Sequence, residues 1–360
     1  MFRVDWIGAF LFMAGGIAVM LALNWGSTYG WNSARVIVCF VTGGFAYIIF
    51  LGFEHILERR SSLSSSVSTG NPSFWTQPML SISIFRSLDI SITQYATLVS
   101  GMVLIVMFYF VAVFMVIVAG RSASNAGVQL IYFAPGMGAG SLLQIRLIKQ
   151  YRQPKYPIML GSLVLTISLG LISMAVEKNN TGMIAGFMVM SGVGVGLSIG
   201  ALAIHARFSQ PAGKVAIVSA LLLFSRSLGG TIGLAQCGAV LDAKVRQYVT
   251  SAVESGAIPD SAAIASSLAS LGSLQNINSL PPAVQTIVRD AYRDGTRWAF
   301  ISLIPWAALG FLGTLCLSNI KDSDAAPSDK EEIPVEVLED TNISELPHHT
   351  QRSSETLRSA

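Results

Sequence analysis

Charged residues are scarce in this sequence, and their scarcity is the first guide to its class. Only 12% of the 360 residues are Asp, Glu, Lys or Arg, whereas a soluble domain usually carries about 25%. Hydrophobic residues make up 52% of the chain, and the mean hydropathy is +0.58. So few charges cannot cover a folded core with polar surface, and we therefore expect lipid to be the main solvent.

Several kinds of chemistry lack the residues that they would need. The three cysteines, Cys39, Cys237 and Cys316, lie inside apolar runs, which favours packed free thiols over a disulfide or metal framework. The net charge of +3 gives no basis for nucleic-acid binding. Because the sequence contains no Walker A motif, zinc-ligand pattern or nucleophile triad, we expect no enzyme activity, no metal site and no cofactor.

Apolar runs of membrane-spanning length are abundant. A span needs about 20 mostly apolar residues to cross roughly 30 Å of hydrocarbon, and in lipid its backbone must be helical. The candidates are residues 6–23, 36–53, 98–119, 128–145, 158–176, 183–204, 215–241 and 298–317. The sequence thus predicts an all-α integral membrane protein with about eight transmembrane helices.

Lys and Arg are distributed unevenly between the loops, which orients the spans. The loop 146–155 is strongly basic, and the stretches 59–60 and 207–214 are basic as well. Short loops rich in Lys and Arg remain in the cytosol. We therefore place both termini in the cytosol and the region 242–297 outside.

Three segments are not expected to span the membrane. Residues 54–97 are predicted as a cytosolic loop with a Ser-rich insert, and residues 319–360 as a disordered acidic cytosolic tail. The outer loop 242–297 shows helical spacing at 284, 287, 288 and 291, which predicts short amphipathic helices. Asn179 begins a weak glycosylation sequon on the outer side.

Arg226 is the sharpest single signal, because it falls near the middle of the candidate span 215–241. An Arg at a helix centre costs about 2.5–3.5 kcal/mol even on lenient insertion scales. That cost requires a protein-lined or watery neighbourhood. Two interpretations have about equal weight: contact with a polar or anionic substrate or a carboxylate, and a structural Arg bonded to neighbouring backbone carbonyls.

Other polar residues lie within or beside candidate spans. Asn125 and Gln129 are one helical turn apart at the outer start of one span, and Gln236 lies in the same span as Arg226. They line a cavity on one interpretation and form interhelical hydrogen bonds on the other. His205 is interpreted as a lone histidine at an inner helix end. No Asp or Glu falls deep inside a candidate span, so no proton carrier is evident.

Small residues recur at helix-packing spacing, as at Gly136 and Gly140, at Gly192, Gly196 and Gly200, and at Gly229 and Gly233. Such spacing lets two helices approach closely in lipid. Most of these glycines are predicted to serve static packing. Pro135 precedes Gly136 inside a span and predicts a kink or break there.

Longer stretches resemble a known family. They include Asp-Trp-Ile-Gly-Ala at 5–9, Leu-Ala-Leu-Asn-Trp-Gly at 21–26, Gly-Val-Gln-Leu at 127–130, Gly-Val-Gly-Val-Gly-Leu at 192–197, Ala-Ile-His-Ala-Arg-Phe-Ser-Gln-Pro at 203–211, and Phe-Ser-Arg-Ser-Leu-Gly-Gly-Thr-Ile-Gly at 224–233. Together they resemble the drug:proton antiporter family of about 14 spans in the major facilitator superfamily, and its fungal multidrug and toxin efflux members in particular.

The resemblance implies two linker helices within 1–53 and a six-helix C-terminal bundle within 98–318. The family's N-terminal bundle of six spans has no counterpart in these residues. Family helix roles imply a substrate cavity, and the residues expected to bind substrate there are Arg226, Gln129, Tyr109, Asn125 and Gln236.

Two hypotheses remain open. The first is efflux of small organic molecules such as secondary metabolites, toxins or drugs, by a rocking mechanism that needs an N-terminal transporter half or a second copy. The second is a non-transporting remnant or regulatory subunit derived from such a carrier. In either case the chain is expected in the plasma membrane, with the vacuolar membrane as the alternative.

Overall fold

The computed structural model describes residues 5–64, 84, 87–210, 214–255 and 282–320. Within these ranges the regular structure is helical. The helices are α1 (Trp6–Tyr29), α2 (Ala34–Ser64), α3 (Leu88–Ile117), α4 (Ala123–Leu130), α5 (Phe133–Tyr151), α6 (Lys155–Glu177), α7 (Thr181–Phe208), α8 (Val215–Glu254) and α9 (Pro282–Leu315).

Seven of the helices are long and apolar enough to cross a membrane: α1, α2, α3, α6, α7, α8 and α9. The prediction of an all-α integral membrane protein is thereby confirmed. The candidate span 128–145 differs from the rest, because the structure divides it between α4 and α5.

The break between α4 and α5 has a local cause. Pro135 has no N–H to donate to the carbonyl of Ile131, and its ring would clash with that carbonyl in a continuous helix. The chain therefore turns at Ile131 and Tyr132, where Ile131 N–H donates to Val128 O at 3.2 Å and Tyr132 N–H to Gln129 O at 3.4 Å. The kink predicted at the Pro-Gly pair is found one turn before it.

Helix α3 begins at Leu88, ten residues before the predicted start at 98. The predicted span left out the polar residues Thr93, Gln94 and Thr97, but all three are buried. Thr93 Oγ1 donates to Ile90 O at 2.9 Å and Thr97 Oγ1 to Thr93 O at 2.7 Å. Because threonine can satisfy its hydroxyl on its own helix, these residues are compatible with a buried helical turn.

Helices α8 and α9 extend well into the region 242–297. Forty residues of α8 rise about 60 Å, roughly twice the hydrocarbon thickness. The helical spacing noted from position 284 onward is confirmed: Val284, Val288 and Ala291 are buried. They belong to the long helix α9, however, and not to a separate short helix.

Two predicted segments fall largely outside the described residues. Positions 61–64 of the Ser-rich insert form the last turn of α2, and the remainder of the insert lies outside the description. The acidic tail from 321 onward lies outside it entirely.

Helix α3 runs through the centre of the bundle, and its side chains Met107, Phe110 and Phe114 are fully buried. They form one apolar core with Ile172 of α6 and Phe300 of α9. The bundle is thus organised around α3.

The hairpin of α1 and α2 packs against α8. The ring of Phe12 lies 4.7 Å from the ring of Phe224 and 5.4 Å from the ring of Phe50, measured between centroids. Phe50 and Leu221 are both buried in this contact.

Glycines form the closest helix contacts, as their spacing predicted. A Cβ on Gly136 would stand 2.1 Å from the carbonyl oxygen of Val189, and one on Gly140 would stand 2.3 Å from that of Val193. Helices α5 and α7 therefore touch backbone to backbone. Such an approach has no room for any side chain on these two glycines.

The proposed orientation predicts opposite labelling at the two ends of the bundle. Ser251 is exposed near the end of α8, and the native Cys316 is exposed just after α9. In a Cys39→Ala background, we expect Ser251→Cys to react with an impermeant maleimide in intact cells, and Cys316 to react only after permeabilisation. Labelling of Cys316 in intact cells would invert the orientation.

Candidate functional site

Helices α3 and α8 cross with their backbones in contact. A Cβ on Gly101 would stand 2.1 Å from the carbonyl oxygen of Arg226, and one on Gly229 would stand 2.0 Å from that of Leu98. The crossing fixes the position of Arg226 relative to the middle of α3. The interval from Gly229 to Gly233 that the sequence singled out is part of this contact.

The guanidinium of Arg226 lacks part of its hydrogen bonding. Arg226 is half-buried, and its Nε has no hydrogen-bond partner among the described residues. The missing partner concerns one nitrogen of the guanidinium, and both interpretations of Arg226, contact with a substrate or carboxylate and a structural Arg bonded to neighbouring backbone carbonyls, stay predictions.

Gln94 and Ser225 extend the polar character of the crossing. Ser225 Oγ donates to Gln94 Oε1 at 2.6 Å, while Gln94 Nε2 is buried without a partner among the described residues. Sequence reasoning missed Gln94, because it lies before the predicted start of the span. Its place beside the Arg226 turn appears only when α3 and α8 are brought together.

Further along α3, the exposed side chains are apolar and aromatic. Ile105 packs beside Gly230 of α8 and is 42% exposed, and Tyr109, one turn later, is 52% exposed. Tyr109 is eight residues beyond Gly101, or about 12 Å along the helix. The structure thus places Tyr109 on the same helix as the Arg226 contact, about two turns away.

Asn125 and Gln129 lie on the short helix α4. Asn125 is exposed, and its backbone N–H donates to the capping hydroxyl of Ser122 at 3.3 Å. Gln129 is half-buried in the last turn, directly before the break. Helix α5 touches α3 through the rings of Phe108 and Phe133, whose centroids are 5.1 Å apart. Helix α4, which carries both amides, packs against α3.

Gln236 has a structural contact. Its Nε2 donates to the backbone oxygen of Ser302 at 3.0 Å and so ties α8 to α9. Of the two interpretations left open for this residue, interhelical hydrogen bonding is the one with a partner in the structure.

His205 is not isolated. Its Nε2 lies 3.8 Å from Oδ1 of Asp89, at the start of α3. Asp89 precedes the predicted span, and no spacing in the sequence connects it with His205. The pair is the second polar cluster that sequence reasoning missed.

Two further features of the structure involve none of the predicted substrate-binding residues. A hollow of about 460 Å³ between α8 and α9 is lined by Lys244, Tyr248 and Asp294, among others, and by none of the predicted site residues. Asn179 is exposed in the turn between α6 and α7, where its φ is 50°; glycosylation there stays a prediction.

The chain is similar to fungal efflux proteins over most of its length. A family model described as the fungal trichothecene efflux pump (TRI12) matches residues 1–330. The MFS-type transporter gkaD of Penicillium citrinum is 26% identical over 322 residues, which are 86% of this chain and 50% of that protein. The MFS-type efflux pump LUC4 of Fusarium sp is 25% identical over 87% of this chain and 53% of its own length. The chain thus spans about half the length of these curated relatives.

A solved structure agrees with the fold. A bacterial homologue of the human lysosomal transporter Spinster, in an inward-facing and occupied conformation, superimposes with a TM-score of 0.50 at 15% identity, covering 84% of this chain and 64% of that one. The likeness to fungal major facilitator efflux proteins is confirmed by the family match, and the fold is that of a major facilitator. The chain belongs to the fungal trichothecene efflux pump (TRI12) family of major facilitator transporters.

Proposed function

We propose that this chain is the C-terminal half of a carrier that exports small organic molecules, and that its share of the substrate site centres on Arg226. The single observation that carries the proposal is the half-buried guanidinium at the α3–α8 crossing, whose Nε has no partner among the described residues. A buried donor without a partner costs about 1–3 kcal/mol, and more when it is charged. A ligand or a facing carboxylate would remove that cost.

The neighbouring surface suits an organic ligand. Ligand sites are mostly apolar, with a few polar groups that fix orientation. Ile105, Tyr109 and Leu223 offer exposed apolar surface on α3 and α8, and Gln129 and Asn125 offer amides on α4. We therefore favour substrates with an apolar body and an anionic or strongly hydrogen-bonding group.

The site is incomplete in one half. Major facilitators hold substrate between two six-helix halves and alternate by rocking one half against the other. Because the chain spans about half of its curated relatives, we propose that an N-terminal half or a second copy closes the open face. The plasma membrane is the proposed location, with the vacuolar membrane as the alternative.

A second candidate function follows from the same length. A chain that carries one half could serve as a non-transporting regulatory subunit of a related carrier. In that case Arg226 would meet a carboxylate of the partner and no substrate.

Export should require both halves. We expect energised cells that produce this chain alone to retain fluorescein and ethidium, as an anionic and a cationic probe, as fully as empty cells do. Co-production with the N-terminal half of a family member should lower retention of at least one dye, because only two halves can present alternately open faces.

The control cells produce the same N-terminal half without this chain, and their dye retention should be unchanged. Energy-dependent efflux by a verified monomer of this chain would contradict the need for a second half. A stable complex of the two halves that exports neither these dyes nor a wider panel would favour the regulatory subunit.

A further inference from the structure

A buried histidine meets a carboxylate where α3 begins and α7 ends. The side chain of His205 is 0% exposed, and its Nε2 lies 3.8 Å from Oδ1 of Asp89. Neither ring nitrogen has a hydrogen-bond partner among the described residues. Buried polar atoms are nearly always hydrogen-bonded. A small movement would bring this imidazole within hydrogen-bond distance of Asp89.

Asp89 is already fastened to the chain that follows α9. Ser318 donates both its backbone N–H, at 2.9 Å to Oδ1, and its hydroxyl, to Oδ2. Two residues later, Ile320 exchanges a pair of 2.9 Å hydrogen bonds with the side-chain amide of Gln153, in the loop between α5 and α6. The segment 318–320 thus links the ends of several helices, and Asp89 is its anchor on α3.

The surroundings of the imidazole leave Asp89 as its closest charged partner. Lys155, at the start of α6, acts on His205 electrostatically as a like charge when the ring is protonated. The apolar residues beside His205 on α7 lie in clusters with Ile148 of α5 and with Val218 and Leu222 of α8. On α7 itself, Arg207 donates from Nε to Ser219 of α8 at 3.2 Å.

Water reaches the pair from the Asp89 side. The Asp89 side chain is 19% exposed, and Ser318 beside it is exposed. A proton can therefore pass between solvent and the buried ring by way of the carboxylate. A histidine in such a setting is the usual proton-responsive side chain of proteins.

We propose that Asp89 and His205 form a proton-binding site that fastens the ends of α3 and α7 to the chain after α9. When His205 takes up a proton, Nε2 becomes a charged donor, and the 3.8 Å separation closes to a charge-assisted hydrogen bond of about 2.8 Å. When the proton leaves, the charge-assisted bond is lost, and the chain after α9 is held through Asp89 to α3 alone and moves more freely. The inference goes beyond the proposed function and does not depend on transport by this chain.

The native thiol at Cys316 reports on this segment, since it is exposed and lies two residues before Ser318. We would replace Cys39 and Cys237 by Ala, attach a nitroxide at Cys316 in the full chain, and record its mobility in lipid nanodiscs. The titration runs from about pH 8 to about pH 4.5, which covers most histidines in folded proteins. We expect the label to become less mobile as the pH falls, as the tie forms.

His205→Gln and Asp89→Asn should each abolish the pH response, because each removes one member of the pair while keeping a similar shape. The matched control is His55→Gln, which changes a histidine of α2 and should leave the response intact. A wild-type label whose mobility does not change with pH overturns the proposal. So does a response that survives in either His205→Gln or Asp89→Asn.

Discussion

Gly136→Val is expected to destabilise the bundle severely. The new Cβ would stand 2.1 Å from the carbonyl oxygen of Val189, and two methyl groups would extend further into α7. Overpacking typically costs about 1–3 kcal/mol and occasionally more. Because the obstacle is backbone and cannot rotate away, we expect about 3 kcal/mol or more and little monodisperse protein after extraction. Size-exclusion chromatography and thermal denaturation in detergent measure the effect.

The same helix provides a matched control. Gly138 lies two residues from Gly136 and from Gly140, is exposed, and has nothing within 4 Å of its Cβ position. Gly138→Val should therefore leave the melting temperature close to that of wild type. Equal stability of the Gly136 and Gly138 variants would show that α5 and α7 do not touch as described.

These glycines also show how far the sequence could lead. The four-residue interval between Gly136 and Gly140 predicts a close helix contact on physical grounds, and α7 supplies it. Pro135 likewise predicts the break before it, because a missing N–H and a bulky ring act locally. Features set by one short stretch of chain were accessible without a structure.

Features that depend on distant segments were not accessible. The start of α3 was placed too late, because a run of apolar letters cannot show that Thr93 and Thr97 satisfy their hydroxyls on their own helix. The meeting of Asp89 with His205 requires α3 and α7 to be neighbours, and no spacing within either helix encodes that. The sequence alone shows that an Arg at position 226 is costly in a span. That its Nε has no partner could be seen only once α3 and α8 were placed against each other.

Gln236 illustrates an alternative that the sequence could not decide. A glutamine in a span either lines a cavity or bonds to a neighbouring helix, and both leave the same letter in the sequence. The bond to Ser302 O favours the second role. Gln236→Leu is therefore a suitable reference variant, because it removes one interhelical hydrogen bond. Loss of such a bond lowers the stability of a protein by about 1 kcal/mol.

Arg226→Leu is expected to abolish or strongly reduce export by the complete carrier while the protein stays in the membrane. Leucine removes both the cost of the half-buried cation and the contact with substrate that we propose for it. A hydrogen bond to a charged group contributes about 1.5–3 kcal/mol, so loss of the contact corresponds to at least about a tenfold drop in transport. Arg226→Lys should rescue only in part, because a compact ammonium cannot reproduce the guanidinium fork.

The most direct test of Arg226 as the centre of the substrate site measures protein abundance and dye export in the same cells. The N-terminal half is present in every case, and the proteins compared are wild type, Arg226→Leu, Arg226→Lys and Gln236→Leu. The proposal predicts normal abundance but little export per molecule for Arg226→Leu, intermediate export for Arg226→Lys, and near-normal export per molecule for Gln236→Leu. Loss of the Arg226→Leu protein from the membrane fraction would make Arg226 a structural brace, and full export by an abundant Arg226→Leu protein would remove it from the site altogether.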